Sequence, residues 1–294
     1  MDLRHLTYLL AVADHGGFTR ASKAIFVSQP ALSLAVRELE DELGVELLYR
    51  LGRGVRLTPA GAALVGPARQ VLRDIETARA EVSSIAGLEG GSLALGSLPT
   101  LAADPLAGLV GRYRAAYPRV VVDLAAPEDT ADLVVLLQHG QCEIALLEGG
   151  LLPDSLTTHE LGTQSLSVIL PPGTIRPQTH LSVEEFERVP FIAAPKGTSS
   201  RRLLDEAFAA VGLTPLVVVV AAQRESILPL VLAGAGAALV PDPLARQAAR
   251  LGAVTATPRP AIDRRVVLAH RPGPLAPAAQ RFLELALDGV ARRT

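Results

Sequence analysis

The chain has 294 residues, 49% of them apolar, with 28 basic and 30 acidic side chains, a net charge of −2 and a single cysteine, Cys142. A length of this order suggests roughly two domains, or one large domain with an appendage, and one cysteine excludes an internal disulfide framework. No stretch approaches the ~20 uninterrupted apolar residues of a membrane span, and MDLRHLTYLL mixes acid and base too closely for a secretory signal, so a cytoplasmic protein with no membrane partner is expected. Net charge announces no nucleic-acid binder: residues 1–88 hold ten basic and ten acidic side chains, and the remainder 18 and 20. Any such function must come from the distribution of charge.

Residues 1–58 read as three short helices and a strand pair. Leu3, Leu6, Leu10 and Ala13 recur at helical spacing until Gly16-Gly17 breaks the pattern. FTRASKAI follows, with Thr19 placed to cap its first turn. After a tight connection at Val27, Ser28 is the expected N-cap of a third helix, with Pro30 in its first turn and Gly44 as its left-handed end. On that helix Leu32, Val36, Leu39 and Leu43 share one face, while Leu34 lies almost opposite. VELLYRLGRGVRLT then carries a hairpin signal around GRG.

A helix, a short turn and a second helix can place the latter in a DNA major groove, while a small basic hairpin reaches the flanking backbone. Arg50, Arg53 and Arg56 are spaced along that hairpin for phosphate or minor-groove contacts. The same spacing fits a small protein-binding helical domain with a solvated hairpin.

From Thr58 to Ala86, Leu64, Ala68, Val71, Ile75, Ala78, Val82 and Ile85 follow alternating steps of four and three, the seam of a two-stranded coiled coil. A helix of ~28 residues would extend about 42 Å, so a second copy of the chain is its simplest partner. Gly66-Pro67 is a defect expected to bend it, and GLEGG reads as a joint. Beyond Gly91, strands SLALGS, VVVDLAA, CEIALL, SLSVILP, PFIAA, PLVVVVAA and AALVP alternate with helices. This alternation argues for parallel-sheet α/β architecture, in one doubly wound sheet or two smaller ones. PLVVVVAA reads as a buried strand and Cys142 as a small core residue.

No catalytic chemistry accompanies this pattern. The histidines are scattered, none at the spacing of a zinc site, and no nucleophile elbow, phosphate-binding loop or dinucleotide fingerprint occurs. Neither a metal nor a cofactor is expected.

LRHLTYLLAVADHGGFTRASKAIFVSQPALSLAVRELEDELGVELLYRLGRGVRLTPAG resembles the DNA-binding signature of the LysR-type transcriptional regulators over about sixty consecutive residues. The resemblance implies an α/β fold class with an N-terminal winged helix-turn-helix (1–58), a long linker helix and hinge (59–90), and a C-terminal two-lobed, periplasmic-binding-protein-like co-inducer domain (91–294). Lobe one would take about 91–161 and 267–294, and lobe two about 162–266, with crossings at HELGTQSLSV and DRRVVLAHRP. It also implies a homodimer or homotetramer, double-stranded promoter DNA, a small-molecule co-inducer and RNA polymerase as partners, and no enzymatic activity. Carried over residue by residue, Gln29, Pro30 and Ser33 match positions facing base edges, and Arg37 and Arg50 match basic positions near phosphates. The family often has Arg or another polar residue at Leu34 and Gln at Ala35. Leu34 could instead meet a thymine methyl.

In a two-lobed α/β fold, ligands bind beyond the carboxyl ends of strands, often at helix N-termini. Ser97 and Thr100, Thr130, and Thr198, Ser199 and Ser200 stand at such ends, and Gln223 and Arg224 could reach the cleft from lobe two. Converging hydroxyls and free N–H groups would suit a carboxylate, although ordinary helix capping fits each hydroxyl alone. The competing reading is a cytosolic solute-binding or enzyme module whose N-terminal helices serve only assembly.

Overall fold

The computed structural model describes residues 1–50, 54–85, 91–150, 152–174 and 180–291. The head packs α1 (Leu3–His15), α2 (Phe18–Ala24) and α3 (Gln29–Leu43) around Leu6, Leu9, Val12, Leu32, Val36 and Leu39. Ser28 caps α3, its hydroxyl accepting from the Ala31 N–H at 3.4 Å, and Gly44 ends it at φ 67°. Thr19 does not cap α2. The helix already begins at Phe18, so Gly17 holds that position without a side-chain bond, and the Thr19 hydroxyl donates to Gln29 Oε1 at 3.0 Å.

The wing is an antiparallel hairpin of β1 (Leu48–Arg50) and β2 (Val55–Leu57); Arg53 lies outside the described residues. Its far strand is tied to the turn after α1 by Val55 N–H donating to the Gly16 carbonyl at 3.3 Å. Thr58 joins wing to linker, its hydroxyl donating to the Glu46 carbonyl at 2.7 Å and accepting from Gly61 N–H at 3.0 Å. A β-carbon on Gly61 would stand 2.0 Å from the Leu47 carbonyl oxygen, so only glycine lets the next helix start so close to the wing.

That helix, α4 (Pro59–Ile85), runs through Pro67 without interruption. Its first turns belong to the head: Val65 and Ala68 are buried in the head's core, Leu64 and Leu72 pack on it, and Arg69 pairs with Asp14. Farther along, Val71 and Ala78 are exposed and Ile75 is half-buried; the side chains of Val82 and Ile85 lie outside the described set.

The rest is α/β, but the sheet is mixed rather than parallel. β3 (Gly91–Ser97) leads through the short α5 (Pro99–Leu101) and a kinked segment (Ala102–Leu106), extended at Asp104, into α6 (Ala107–Ala116); β4 (Val120–Ala125), α7 (Thr130–Gln138) and β5 (Ile144–Glu148) follow. β6 (Thr157–Leu170) is a long strand leading to β7 (His180–Ser182), β8 (Phe191–Ala193), α8 (Ser199–Ala209), β9 (Val217–Val220) and α9 (Ile227–Leu232). β10 (Ala238–Pro241), α10 (Asp242–Arg250), β11 (Val254–Arg259), β12 (Ile262–His270) and α11 (Pro277–Ala291) complete it. The larger sheet runs β4-β3-β5-β12-β6-β11-β7 with β10 also on β6, and β8-β9 form a separate pair. Among the described strands, only β3 with β4 and β5, β11 with β7, and β8 with β9 pair in parallel.

β6 and β12 are the crossing strands. They pair antiparallel from Ile262↔Leu166 to His270↔Thr157, with an irregularity at Val266/Val267. One core gathers around Leu95, Leu133, Ile144, Leu146, Leu268 and Phe282, and holds Cys142. Beyond the irregularity two others gather, one around Phe186, Phe191 and Phe208 and one around Ile169, Val231 and Val240. Two α/β lobes thus share a pair of strands, the geometry of a hinged cleft. The β9 segment is not buried: Leu216, Val218 and Val220 are exposed, 61% for Val220, because β9 is an edge strand with one face in solvent.

Candidate functional site

Two regions concentrate uncommitted chemistry. On the head, Thr19, Ser28, Gln29, Pro30, Leu34 and Arg37 are exposed and Ser33 is half-buried, forming a polar face with Leu34 at 58% exposure. Ala35, by contrast, is buried in the head. Most acids of α3 are engaged by the protein itself. Glu38 lies 3.3 Å from His5 Nε2, and Glu42 pairs with the amino terminus. Glu40 Oε1 accepts from the Leu47 and Leu48 N–H groups at 2.8 and 3.2 Å, and its Oε2 lies 3.7 Å from Arg50. One carboxylate therefore sets the angle between helix and wing. Arg50 also lies over the Phe18 ring at 5.5 Å, and Arg56 over Tyr49 at 5.7 Å, so both arginines have partners within the head.

The second region is the cleft between the lobes. Arg264, on crossing strand β12, is 3% exposed. It donates through Nε to Gln164 Oε1 at 2.8 Å and through Nη2 to Thr100 Oγ1 at 2.6 Å, while Nη1 is buried without a partner. Burial pushes its guanidinium down to about 10, so it remains a cation at neutral pH. Gln164 is held in turn by the Asp104 carbonyl and carboxylate. Across the cleft, Arg224 donates to Ser200 Oγ at 2.6 Å and pairs with Glu128. Arg202 pairs with Glu148 at 2.8 Å; burial works against its charge, but Glu148 and Glu206 hold its guanidinium above the ordinary value. Ser199 N–H donates to the Glu128 carbonyl at 3.3 Å.

Thr100, Ser200 and Arg224 line one cavity of about 60 Å³ with Ile192, Leu239 and Val240. The hydroxyls of Thr130 and Ser199 are buried and unpartnered. Ser97 and Thr198 play the local roles open to any such hydroxyl: Ser97 bonds the Leu98 carbonyl, and Thr198 caps α8. Gln223 is exposed, and its neighbour Arg224 makes the cleft contacts in its place. Arg201 is buried against Asp205, and Arg202 bridges the lobes. Arg264, Gln164, Glu128 and Glu148 carry no local sequence signal as site residues. Only the period of two along DRRVV, which turns Arg264 inward and Arg265 out, could have singled out Arg264. Among the described residues no three His, Cys, Asp or Glu side chains converge to hold a metal ion, and no helix is long and apolar enough to cross a membrane.

A winged helix-turn-helix head, a long helix and a hinged receptor with a buried cation in its cleft together define a regulator class that couples a small molecule to DNA. Comparison with known proteins gives the family. Residues 3–62 match the bacterial regulatory helix-turn-helix protein, lysR family, and residues 86–291 match the LysR substrate binding domain. The chain belongs to the LysR family. It is 38% identical over 147 residues to a hydrogen peroxide-inducible genes activator of Dickeya chrysanthemi, covering 50% of this chain and 48% of that one. It is 31% identical over 210 residues to a probable RuBisCO transcriptional regulator of Nostoc sp., covering 69% and 61%. The chain thus spans about half the length of the first relative and about three fifths of the second. A full-length OxyR variant from Pseudomonas aeruginosa superposes with a TM-score of 0.75 at 23% identity, covering 99% and 94%. CbnR complexed with its target DNA gives 0.56 at 22%, covering 99% and 100%. At these identities the likeness is one of fold.

Proposed function

We propose that the chain is a cytoplasmic, sequence-specific transcriptional regulator whose DNA affinity or geometry responds to a small anionic effector in the inter-lobe cleft. The observation that carries the DNA half is the division of α3. Its N-terminal part exposes Ser28, Gln29, Pro30, Leu34 and Arg37 to solvent, while Glu38, Glu40 and Glu42 are engaged by the head itself. Gln29, Pro30, Ser33 and Leu34 read base edges, and Arg37 meets phosphate together with Arg56 of the wing and Arg53, which lies outside the described residues. Arg50 orients the wing from its place between Glu40 and Phe18. Binding of a promoter fragment from upstream of the gene should exceed binding of random duplex and fall steeply with salt as phosphate contacts release counterions. Equal affinity for the two duplexes at every salt concentration would sink this half.

The effector half rests on Arg264, a nearly fully buried cation whose Nη1 has no partner; the buried hydroxyls of Ser199 and Thr130 are unpartnered as well. Such groups want a compact acceptor, and a carboxylate supplies one. In a thermal-shift screen, small carboxylates should raise the melting temperature of the parent protein and leave Arg264→Met unmoved. A carboxylate that stabilises both equally binds elsewhere. The peroxide response named for one relative finds no support here, because Cys142 is 1% exposed and the sequence holds no second thiol.

Assembly is proposed to be homodimeric or homotetrameric. Val71, Ile75 and Ala78 on α4 supply one seam, which the sequence spacing extends to Val82 and Ile85. The apolar edge strands β4, with Val121 and Leu124, and β9, with Val218 and Val220, supply a second. RNA polymerase is the further partner such a regulator would engage. The division into 1–58, 59–90 and 91–294 is retained as the working domain map. The LysR regulators are not enzymes, which removes the enzyme form of the alternative; its solute-binding form, with a head that serves only assembly, has no observation in its favour.

A further inference from the structure

Phe26, in the turn between α2 and α3, has φ +55°, and it is the one non-glycine among the described residues with a positive φ. That left-handed region brings a β-carbon close to the backbone, so it is normally left to glycine. Its ring is 95% exposed, more than any other large apolar side chain described. The other aromatics of the head have company: Phe18 and Tyr8 pack against the core, and Tyr49 lies beneath Arg56. Glycine at this position would relieve the strain, and a polar residue would remove the exposed ring. The chain carries both penalties together, and at 95% exposure Phe26 gains little packing from the described head to offset them.

The stem bearing the ring is fixed. Ile25 N–H donates to the Ala21 carbonyl and Val27 N–H to the Ser22 carbonyl, both at 3.0 Å, and Leu32 N–H donates to the Ser28 carbonyl at 3.1 Å. The Thr19 to Gln29 bond ties α2 to the start of α3 beside this turn. Phe26 is thus held rigidly just ahead of the Ser28 cap. When the N-terminal end of α3 enters a major groove, this turn is carried toward a backbone bordering that groove.

We propose that Phe26 is a DNA contact whose ring packs on the deoxyribose surface beside the entry point of α3. The proposal rests on the assignment of α3 as the DNA-reading helix. Deoxyribose presents the same apolar C–H surface at every nucleotide, so the contact adds affinity and fixes docking without selecting sequence. It neutralises no phosphate and releases no counterion. In this it differs from Arg37, which meets a phosphate, and from Leu34, which faces a base edge.

The test uses the full-length protein with Phe26→Gly and Phe26→Asn, two residues that tolerate the left-handed conformation, and Arg37→Ala as the reference. Binding is measured by fluorescence anisotropy on a promoter fragment and on a random-sequence duplex of equal length across a salt series. Both Phe26 variants should melt at or above the parent temperature and bind both duplexes about tenfold more weakly, with the parent's salt slope. Arg37→Ala should reduce that slope by about one. Unchanged affinity in the Phe26 variants, alongside weakened Arg37→Ala, overturns the Phe26 contact and leaves the reading helix standing. Unchanged affinity in all three variants overturns the reading helix and the proposal together. A loss confined to the promoter fragment overturns the sugar contact, because it would place the ring against a base.

Discussion

At the residue scale, one carboxylate does more for the head than its charge suggests. Glu40 joins α3 to β1 through two backbone N–H groups and lies near Arg50. With a side chain only 12% exposed, it cannot readily be replaced by water. Glu40→Ala should destabilise the head by about 2 kcal/mol, the scale of hydrogen bonds to a charged acceptor. It should also weaken DNA binding through the freed wing, in a way that Arg50→Ala reproduces only in part. Differential scanning calorimetry and anisotropy measure the two effects; an unmoved melting transition would mean the hairpin holds its place without the clamp.

A second residue-scale feature is the pair His159 and His270, with their Nε2 atoms 3.2 Å apart. His270 Nδ1 faces the Arg271 carbonyl at 2.7 Å, which can only accept, so His270 Nε2 offers a lone pair and His159 Nε2–H donates to it. Burial, and then the neighbouring His270, hold His159 below its ordinary value. The folded chain therefore binds fewer protons than the unfolded chain as pH falls below about 6.5. Stability should be full above that pH and decline beneath it. His159→Asn should flatten the decline in melting temperature between about pH 7 and about pH 5. An equally steep decline in the variant would place the responsible proton elsewhere.

At the element scale, the seam of α4 divides in two. Ala68 is 1% exposed within the head, so Ala68→Asp buries an uncompensated charge and should cost about 3 kcal/mol or more. Ile75 lies beyond the head's core. Ile75→Asp should leave the head's melting unchanged while separating the copies in analytical ultracentrifugation. Dissociation by Ala68→Asp without unfolding would reverse that division. The heptad spacing was legible in the sequence, but spacing alone cannot say which turns pack on their own domain and which await a partner. A run of valines is equally ambiguous: PLVVVVAA fits a central strand or an edge, and only the topology puts Val218 and Val220 in solvent. The helix-turn-helix was readable because its determinants are local, a cap at Ser28, a left-handed Gly44 and apolar positions one turn apart. The cleft was only partly readable. Thr100 and Ser200 follow strand ends and could be found that way, whereas Arg264 meets Thr100 across 164 positions of chain and Gln164 across 100.

At the scale of the whole molecule, the two lobes are joined across the cleft by their own charges. Glu128 with Arg224 and Glu148 with Arg202 place carboxylates where an anionic effector would compete. Each pair has one largely buried member and one half-exposed member, Arg202 at 47% in one and Glu128 at 52% in the other, so solvent screens the two latches to a similar degree. Two such pairs together contribute about 1–2 kcal/mol, or about tenfold in an equilibrium between open and closed lobes. That is small enough for a ligand to override and large enough to set the resting state. Glu128→Gln combined with Glu148→Gln should therefore raise the radius of gyration of the ligand-free protein in solution scattering. A carboxylate that takes over both arginines should restore the parent value, since it supplies the charge that the glutamates gave up. Closure by ligand would then differ from closure without it in one respect: Arg264 gains a partner for its unpaired N–H group. The Arg264→Met variant should accordingly retain the resting compactness while losing the ligand's effect on DNA binding. If it opened in the absence of ligand, Arg264 would be part of the latch rather than the effector's anchor.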